Sequence, residues 1–195
     1  MTGKTVILLM GSYLLGCINT GYYYSLLVYR KDIREVGTGV TGAMNVSRLA
    51  GKKGFILTFL GDALKGLLVP LLCRSIQAEE WVLLLCMLMV LIGHILPVQL
   101  HFRGGKGLST LFGVLLGFHP VFVLYLFLTC AVIFPFVRRY TISSLYALLI
   151  FPLELFLLDY SYPVIGFSAA CSGLILLACR SNIKEYLKDK AYNKK

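Results

Sequence analysis

Two short stretches combine the residue types that hold phosphate or carboxylate. The first is Phe102-Arg103-Gly104-Gly105-Lys106-Gly107-Leu108-Ser109-Thr110. Its glycines allow a tight turn with consecutive N–H groups exposed, and Lys106 sits among them. An apolar helical run follows at once and adds the positive end of its dipole. Backbone amides, one cation and a helix start are the parts of an anion cradle. No Ser or Thr follows Lys106 and the upstream glycine spacing is wrong, so this is not a Walker A loop. A basic turn flanking a membrane helix, with glycines for packing, is the alternative that local sequence leaves open.

The second stretch is Gly37-Thr38-Gly39-Val40-Thr41-Gly42-Ala43-Met44-Asn45-Val46-Ser47-Arg48. It reads as a glycine-spaced polar loop with hydroxyls at Thr38, Thr41 and Ser47, an amide at Asn45 and a guanidinium at Arg48. Arginine grips a phosphate bidentately. A solvated loop whose arginine merely follows the charge bias of membrane proteins fits equally well. The string from Gly37 to Gly42 satisfies G-x-G-x-x-G literally, but a dinucleotide fingerprint must follow a strand and open a βαβ unit.

Other polar residues stand in apolar surroundings, where they are costly and therefore informative. Asp62 and Lys65, three apart, share a helical face and can neutralise each other. They read as a structural ion pair. His94 and Pro97 lie late in an apolar run just before the glycine-rich loop. The imidazole can orient that loop, handle a proton or simply pack. Ser143 and Ser144 open a later run as potential helix caps, and Asn182 follows the last run. No carboxylate stands near His94 at metal-ligand spacing, so no metal is expected.

The elements that must position these groups are membrane helices. Of 195 residues, 58% are hydrophobic and only 14% charged, with 19 Lys and Arg against 9 Asp and Glu and a net charge of +10. Soluble domains carry roughly 25% charged residues. Disordered, collagenous and ordinary soluble chains are excluded, leaving an all-α polytopic integral membrane protein. Six apolar runs, residues 5–29, 54–73, 81–100, 120–137, 141–158 and 162–179, approach the ~20 residues that cross a bilayer. A seventh, 108–118, would rise only about 16 Å.

Charge placement decides how to count it. Basic residues concentrate at 30–53, at Arg103 and Lys106, at Arg138 and Arg139, and in the tail 180–195; Arg74 is the one basic exception among the other connections. Basic connections stay cytoplasmic. Two such connections flank residues 107–137, so an even number of crossings lies between them and the short run must supply one. The expectation is about seven transmembrane helices, one short, with the N-terminus outside and the tail inside. The whole chain, 1–195, reads as a single membrane-embedded domain with a short basic tail. Lys4 followed by apolar residues up to Leu14-Leu15-Gly16-Cys17 imitates a lipoprotein signal. The run continues apolar to Tyr29, so it is read as a retained first helix. The six cysteines form no C-x-x-C and lie in apolar runs, as small buried hydrophobes.

In order and spacing these motifs resemble the bacterial acyl-phosphate:glycerol-3-phosphate acyltransferases of the PlsY type. Gly16-Cys17-Ile18-Asn19-Thr20-Gly21 stands where that family has G-S-I-x-x-G. Gly37 to Arg48 follows G-S-G-N-x-G-A-T-N-V-x-R, and Asp62-Ala63-Leu64-Lys65-Gly66 follows D-x-x-K-G. Gly93-His94-Ile95-Leu96-Pro97 with Phe102 to Gly107 matches G-H-x-x-P and F-x-G-G-K-G. Arg180-Ser181-Asn182-Ile183 matches R-x-N-I. The chain also departs from the pattern. Cys17 and Thr38 replace Ser, Val40 replaces Asn, and Cys179 replaces the His before R-x-N-I. The Glu that follows this motif has no clear counterpart, and an ungapped reading puts Ile142 where the family has a Ser that Ser143 recovers by a one-residue shift.

The resemblance implies seven spans in the bacterial inner membrane and transfer of an acyl group from acyl phosphate to glycerol 3-phosphate in phospholipid synthesis. Carried onto this sequence, Lys106 with Gly104, Gly105 and Gly107 would hold one phosphate, aided by His94. Arg48 with Thr38 and Asn45, on the backbone of Gly37, Gly39 and Gly42, would hold the other anion and polarise the acyl carbonyl. Ser143 and Asn182 would complete the polar wall. Partners would be acyl phosphate, a phosphorylated polyol acceptor and membrane lipids, with no nucleic acid, cofactor or metal. The sequence leaves oligomeric state open, a monomer included. The rewritten third motif keeps two other readings alive: a paralogue with a different acceptor, and a silent lipid-binding subunit.

Overall fold

The computed structural model describes residues 3–192, with side chains to 189. It is α-helical, with no strand among the described residues. The helices are α1 Gly3–Cys17, α2 Thr20–Tyr29, α3 Ala43–Ser75, α4 Glu80–Ile95, α5 Leu108–Phe118, α6 Pro120–Val137, α7 Tyr140–Leu157, α8 Tyr162–Ala178 and α9 Arg180–Tyr192. Four helices are long and apolar enough to cross a membrane, and six spans result if each bent pair, α1–α2 and α8–α9, counts as one. The expected seventh crossing rests on α5, which has 11 residues. The basic residues Lys194 and Lys195 of the tail lie outside the described residues.

The chain forms two compact units, the first running through Pro120 and the second from Val121. In the first, two close helix pairs dominate, α1 with α4 and α3 with α5. Both rest on glycines that let backbones touch, the membrane analogue of core packing. A Cβ on Gly16 would lie 2.9 Å from the Val90 carbonyl carbon, and one on Gly93 would reach the Tyr13 carbonyl. On α5, a Cβ at Gly113 would strike the Ala63 carbonyl and lie 2.9 Å from Leu67 N. Gly113→Val should therefore drive α3 and α5 apart and remove most folded protein from membranes, whereas Gly166→Ala, with nothing within 4 Å, should be neutral. Equal detergent-extracted yield and melting temperature for the two variants would refute this packing.

Helix α5 runs along the second half of α3: Gly66 abuts Thr110 near its start and Gly117 abuts Pro70 near its end. Arg74 closes the far end, its Nη1 donating to Gly117 O at 3.0 Å and its Nη2 to Phe118 O. The basic exception thus caps the carbonyl end of the short helix. Because α5 starts level with Asp62–Gly66, the preceding loop lies roughly 14–20 Å along α3 from Lys53 at 1.5 Å per residue.

Three boundaries differ from the sequence expectation. The run 5–29 is broken at Ile18-Asn19 into α1 and α2, bent by 40°. The polar stretch 37–48 is a loop only to Gly42, the N-cap of α3, and Asn45 and Arg48 stand on a short helical segment that a kink at Gly51 (φ 61°) separates from the long remainder of α3. Helix α4 ends at Ile95, and Pro97 opens a separate 3-10 turn, Val98–Leu100.

In the second unit α7 packs on α8, with Ser172 Oγ donating to Leu148 O at 2.6 Å. Phe122 sits edge-on to Phe151 and Tyr160. Thr129 on α6 donates to Glu154 on α7, an intramembrane carboxylate that the sequence reading passed over. Arg139 pairs with Asp189 at 2.6 Å, but both side chains are nearly half exposed, so the pair contributes little.

Candidate active site

In the first unit the loop 36–42 is organised by Asn45. Its Oδ1 accepts from Thr38 N–H at 2.9 Å, and its Nδ2 lies 3.0, 2.8 and 2.9 Å from the carbonyls of Ile33, Val36 and Val40. Asn45 is 1% exposed; its amide holds the loop in shape and presents its neighbours. Arg48, one turn on, lies over Gly37. Gly37 takes φ 57°, and a Cβ there would sit 2.9 Å from Arg48 Cδ and 3.1 Å from Nη1. Thr38 is exposed beside it. The loop thus offers a hydroxyl and a guanidinium on a rigid frame. Asp32 fixes its approach, accepting from Arg34 N–H at 2.9 Å and pairing with the guanidinium at 2.6 Å. That side-chain hydrogen bond holds the Asp32 carboxyl below the usual carboxylate range.

The glycine-rich loop is pinned to the end of α4. Gly104 N–H donates to Ile95 O and Gly105 N–H to His94 O, each at 3.1 Å. These two amides therefore hold the loop, and the anion-directed part of the cradle moves forward to Lys106 and the start of α5. The first intrahelical bond there is Leu111 N–H to Gly107 O at 2.8 Å, so the amides of Leu108, Ser109 and Thr110 form the open, positive end of the helix. Lys106 is half-buried at that end. His94 is 2% exposed and its ring faces Gly105, with Nδ1 3.7 Å from Asp62 Oδ1. It supports the loop from beneath.

The two loops meet. Thr41 N–H donates to Gly104 O at 3.3 Å, and Arg34 Nη1 donates to Leu100 O at 3.0 Å. Thr38, Asn45, Arg48, His94, Gly104, Gly105, Lys106 and Gly107 are thereby gathered in one unit, with Gly39 exposed and Gly42 capping α3. Asp62 and Lys65 form the expected ion pair, 3.0 Å apart and almost fully buried.

Ser143 and Asn182 belong to the second unit. Ser143 is fully buried near the start of α7, and its Oγ has no hydrogen-bond partner among the described residues. Ile142 beside it is also buried, while the Ser144 hydroxyl turns back onto Thr141 O at 2.8 Å. Neither serine caps the helix, whose N-cap is Arg139. Asn182 is half-buried in the first turn of α9. Cys179, fully buried, forms the corner between α8 and α9, and its carbonyl accepts from Ile183 N–H at 3.2 Å. Asn182 therefore follows Cys179 by about one turn.

Sequence reasoning missed Asn19, Arg34 and Gln99. Gln99 Nε2 donates to Cys17 O. The signal for Asn19 was present: a carboxamide inside a long apolar run marks a costly, purposeful position.

The chain is similar to known proteins along almost its whole length. A family profile described as glycerol-3-phosphate acyltransferase matches residues 6–189. A glycerol-3-phosphate acyltransferase 1 of Desulfitobacterium hafniense is 40% identical over 184 residues, covering 92% of this chain and 89% of its own length. One from Bacillus cereus is 37% identical, covering 87% and 91%. The crystal structure of PlsY, an integral membrane glycerol 3-phosphate acyltransferase, in its glycerol 3-phosphate form superposes with a TM-score of 0.86 at 34% identity, covering 96% of this chain and 94% of that one. Its lysophosphatidic acid form gives 0.83 at 32% identity, covering 96% and 93%. With a family match across almost its whole length, this chain belongs to the glycerol-3-phosphate acyltransferase family.

Proposed function

We propose that this protein is a multi-pass enzyme of the bacterial inner membrane that moves a fatty acyl group from acyl phosphate to glycerol 3-phosphate, releasing lysophosphatidic acid and inorganic phosphate. The observation that carries this reading is the junction of two anion-directed loops, Thr38–Arg48 and Gly104–Gly107, through the Thr41–Gly104 hydrogen bond. Two phosphates must meet in this reaction, and two adjoining cationic sites suit them. The chain works as one membrane-embedded domain, 1–195, with seven crossings, α5 supplying the short one, and the N-terminus outside.

An acyl phosphate is already activated, so positioning and charge stabilisation suffice. The acceptor hydroxyl attacks the acyl carbon, the tetrahedral oxyanion collapses, and phosphate leaves with the bonding pair. The hydroxyl proton passes to a phosphate oxygen. Lys106 and the first amides of α5 bind one phosphate; Arg48 and Thr38, framed by Asn45, bind the other anion and polarise the carbonyl. The acyl chain lies between helices, open to the inner leaflet. The test is purified protein with acyl phosphate, with and without glycerol 3-phosphate, followed by lipid analysis. Lysophosphatidic acid supports the reading; intact donor with measurable binding refutes it in favour of a silent subunit.

Cys179 favours one second reading, a different acceptor. A thiol cannot replace the donor and acceptor capacity of the imidazole that the family pattern places there. Cys179→Ser should leave turnover largely unchanged, and Cys179→His should raise glycerol 3-phosphate acylation. Complete loss in Cys179→Ser would implicate the thiol itself, and no gain from Cys179→His would move attention to Val40.

A further inference from the structure

Asn19 and Thr41 contact no substrate in the mechanism above, yet they are 1% and 0% exposed and bonded to each other where the two loops meet. Their position follows from the break in the first span. Lys65 Nζ donates to Gly16 O at 3.0 Å and Ile18 O at 2.6 Å, the carbonyl end of α1. Asp62 Oδ1 accepts from Thr20 N–H at 3.3 Å, at the amide end of α2. The buried ion pair thus sets its cation on the negative end of one helix and its anion on the positive end of the next. A continuous helix would withdraw these partners from two buried charges, so the pair stabilises the break.

The break turns Asn19 sideways. Its Nδ2 donates to Cys17 O at 3.2 Å, and its Oδ1 accepts from Thr41 Oγ1 at 2.7 Å. Thr41 N–H in turn donates to Gly104 O. One residue thus joins the helix break by its side chain and the Lys106 loop by its main chain. It also stands three positions after Thr38 and just before the turn bearing Asn45 and Arg48.

We propose that the Asn19–Thr41 hydrogen bond, anchored by the Asp62–Lys65 pair at the helix break, sets the spacing between the Arg48 and Lys106 loops and makes Asn19 and Thr41 positioning residues for acyl transfer. The proposal rests on the function argued above, in which two anions must be held in register. Reacting atoms need to stand about 3–3.5 Å apart, and a misplacement near 1 Å costs about a hundredfold in rate. The Arg34–Leu100 bond is an independent tie between the same segments, so the fold should survive loss of the Thr41 hydroxyl.

The test compares Thr41→Val, Thr41→Ala and Thr41→Ser in kcat, in KM for both substrates and in melting temperature. Removal of the hydroxyl should lower kcat per folded molecule about 10- to 100-fold with far smaller changes in KM, and Thr41→Ser should restore it. Asn19→Ala combined with Thr41→Val should be no worse than either alone, as expected of residues acting through one bond. Folded Thr41→Val or Thr41→Ala with wild-type kcat overturns the proposal. So does failure of both to fold while Thr41→Ser behaves as wild type, which would make the bond structural only. Failure of the underlying function shows elsewhere: the wild-type protein would itself form no lysophosphatidic acid.

Discussion

Lys106→Ala should abolish acyl transfer, lowering turnover at least about a thousandfold, while the protein inserts and folds normally. Removing a single preorganised donor to a developing oxyanion already costs about 10²–10³ in rate, and Lys106 supplies a full charge as well as hydrogen bonds. Folding should survive because the amides of Gly104 and Gly105 fasten the loop to Ile95 and His94. Lys106→Arg keeps the charge but replaces a compact ammonium by a planar fork, and should recover only part of the rate. The measurement is lysophosphatidic acid formation by variants whose melting temperature matches the wild type. A near-wild-type rate in Lys106→Ala would reduce the glycine-rich loop to a membrane-flanking turn.

Much of the fold was legible because membrane helices announce themselves locally. The runs 108–118 and 120–137 coincide with α5 and α6, since an apolar stretch bounded by Gly107, His119 and Arg138 needs no distant partner to be a helix. The break at Ile18-Asn19 was hidden for the opposite reason. It depends on Lys65 and Asp62, more than forty residues away, reaching the carbonyls and amides that a straight helix would have paired. In sequence the start of α3 reads as loop because Gly37, Gly39 and Gly42 run on into the polar residues Asn45, Ser47 and Arg48. The turn is real, but Asn45 creates it from inside the helix by bonding backward to the loop.

The candidate site shows the same division. Residue types and spacing pointed to Arg48, Thr38 and Lys106, whose chemistry lies in their own side chains. They could not apportion the backbone amides of Gly104 and Gly105, which the structure uses to hold the loop. Nor could they distinguish Asn45 as a frame from Asn45 as a ligand, because a carboxamide serves either purpose and its partners are set by the loop's path. Ser143 against Ile142 had the same character, and only the fully buried hydroxyl at 143 distinguishes the two positions physically.

Gly105→Ala should cost about a hundredfold in turnover and raise the KM of the phosphate-bearing substrate, an effect out of proportion to one methyl group. The cause is contact and not backbone conformation, since Gly105 does not lie in the left-handed region. A Cβ there would overlap His94 Nε2 and stand 2.6 Å from Cε1. The ring has little room to yield: it is 2% exposed, sits on the last turn of α4 and has Asp62 on its Nδ1 side. The loop must therefore move outward, stretching the Gly105–His94 and Gly104–Ile95 bonds and carrying Lys106 and the start of α5 with it. A shift near 1 Å is worth about a hundredfold where reacting atoms must be aligned. Steady-state kinetics on Gly105→Ala, His94→Ala and the double variant separate this cause from a general loss of structure. If the imidazole and the added methyl group clash, the double variant should be faster than the product of the two single effects predicts. Strict additivity, or wild-type kinetics in Gly105→Ala, would show that the imidazole moves freely and that the loop is not braced from beneath.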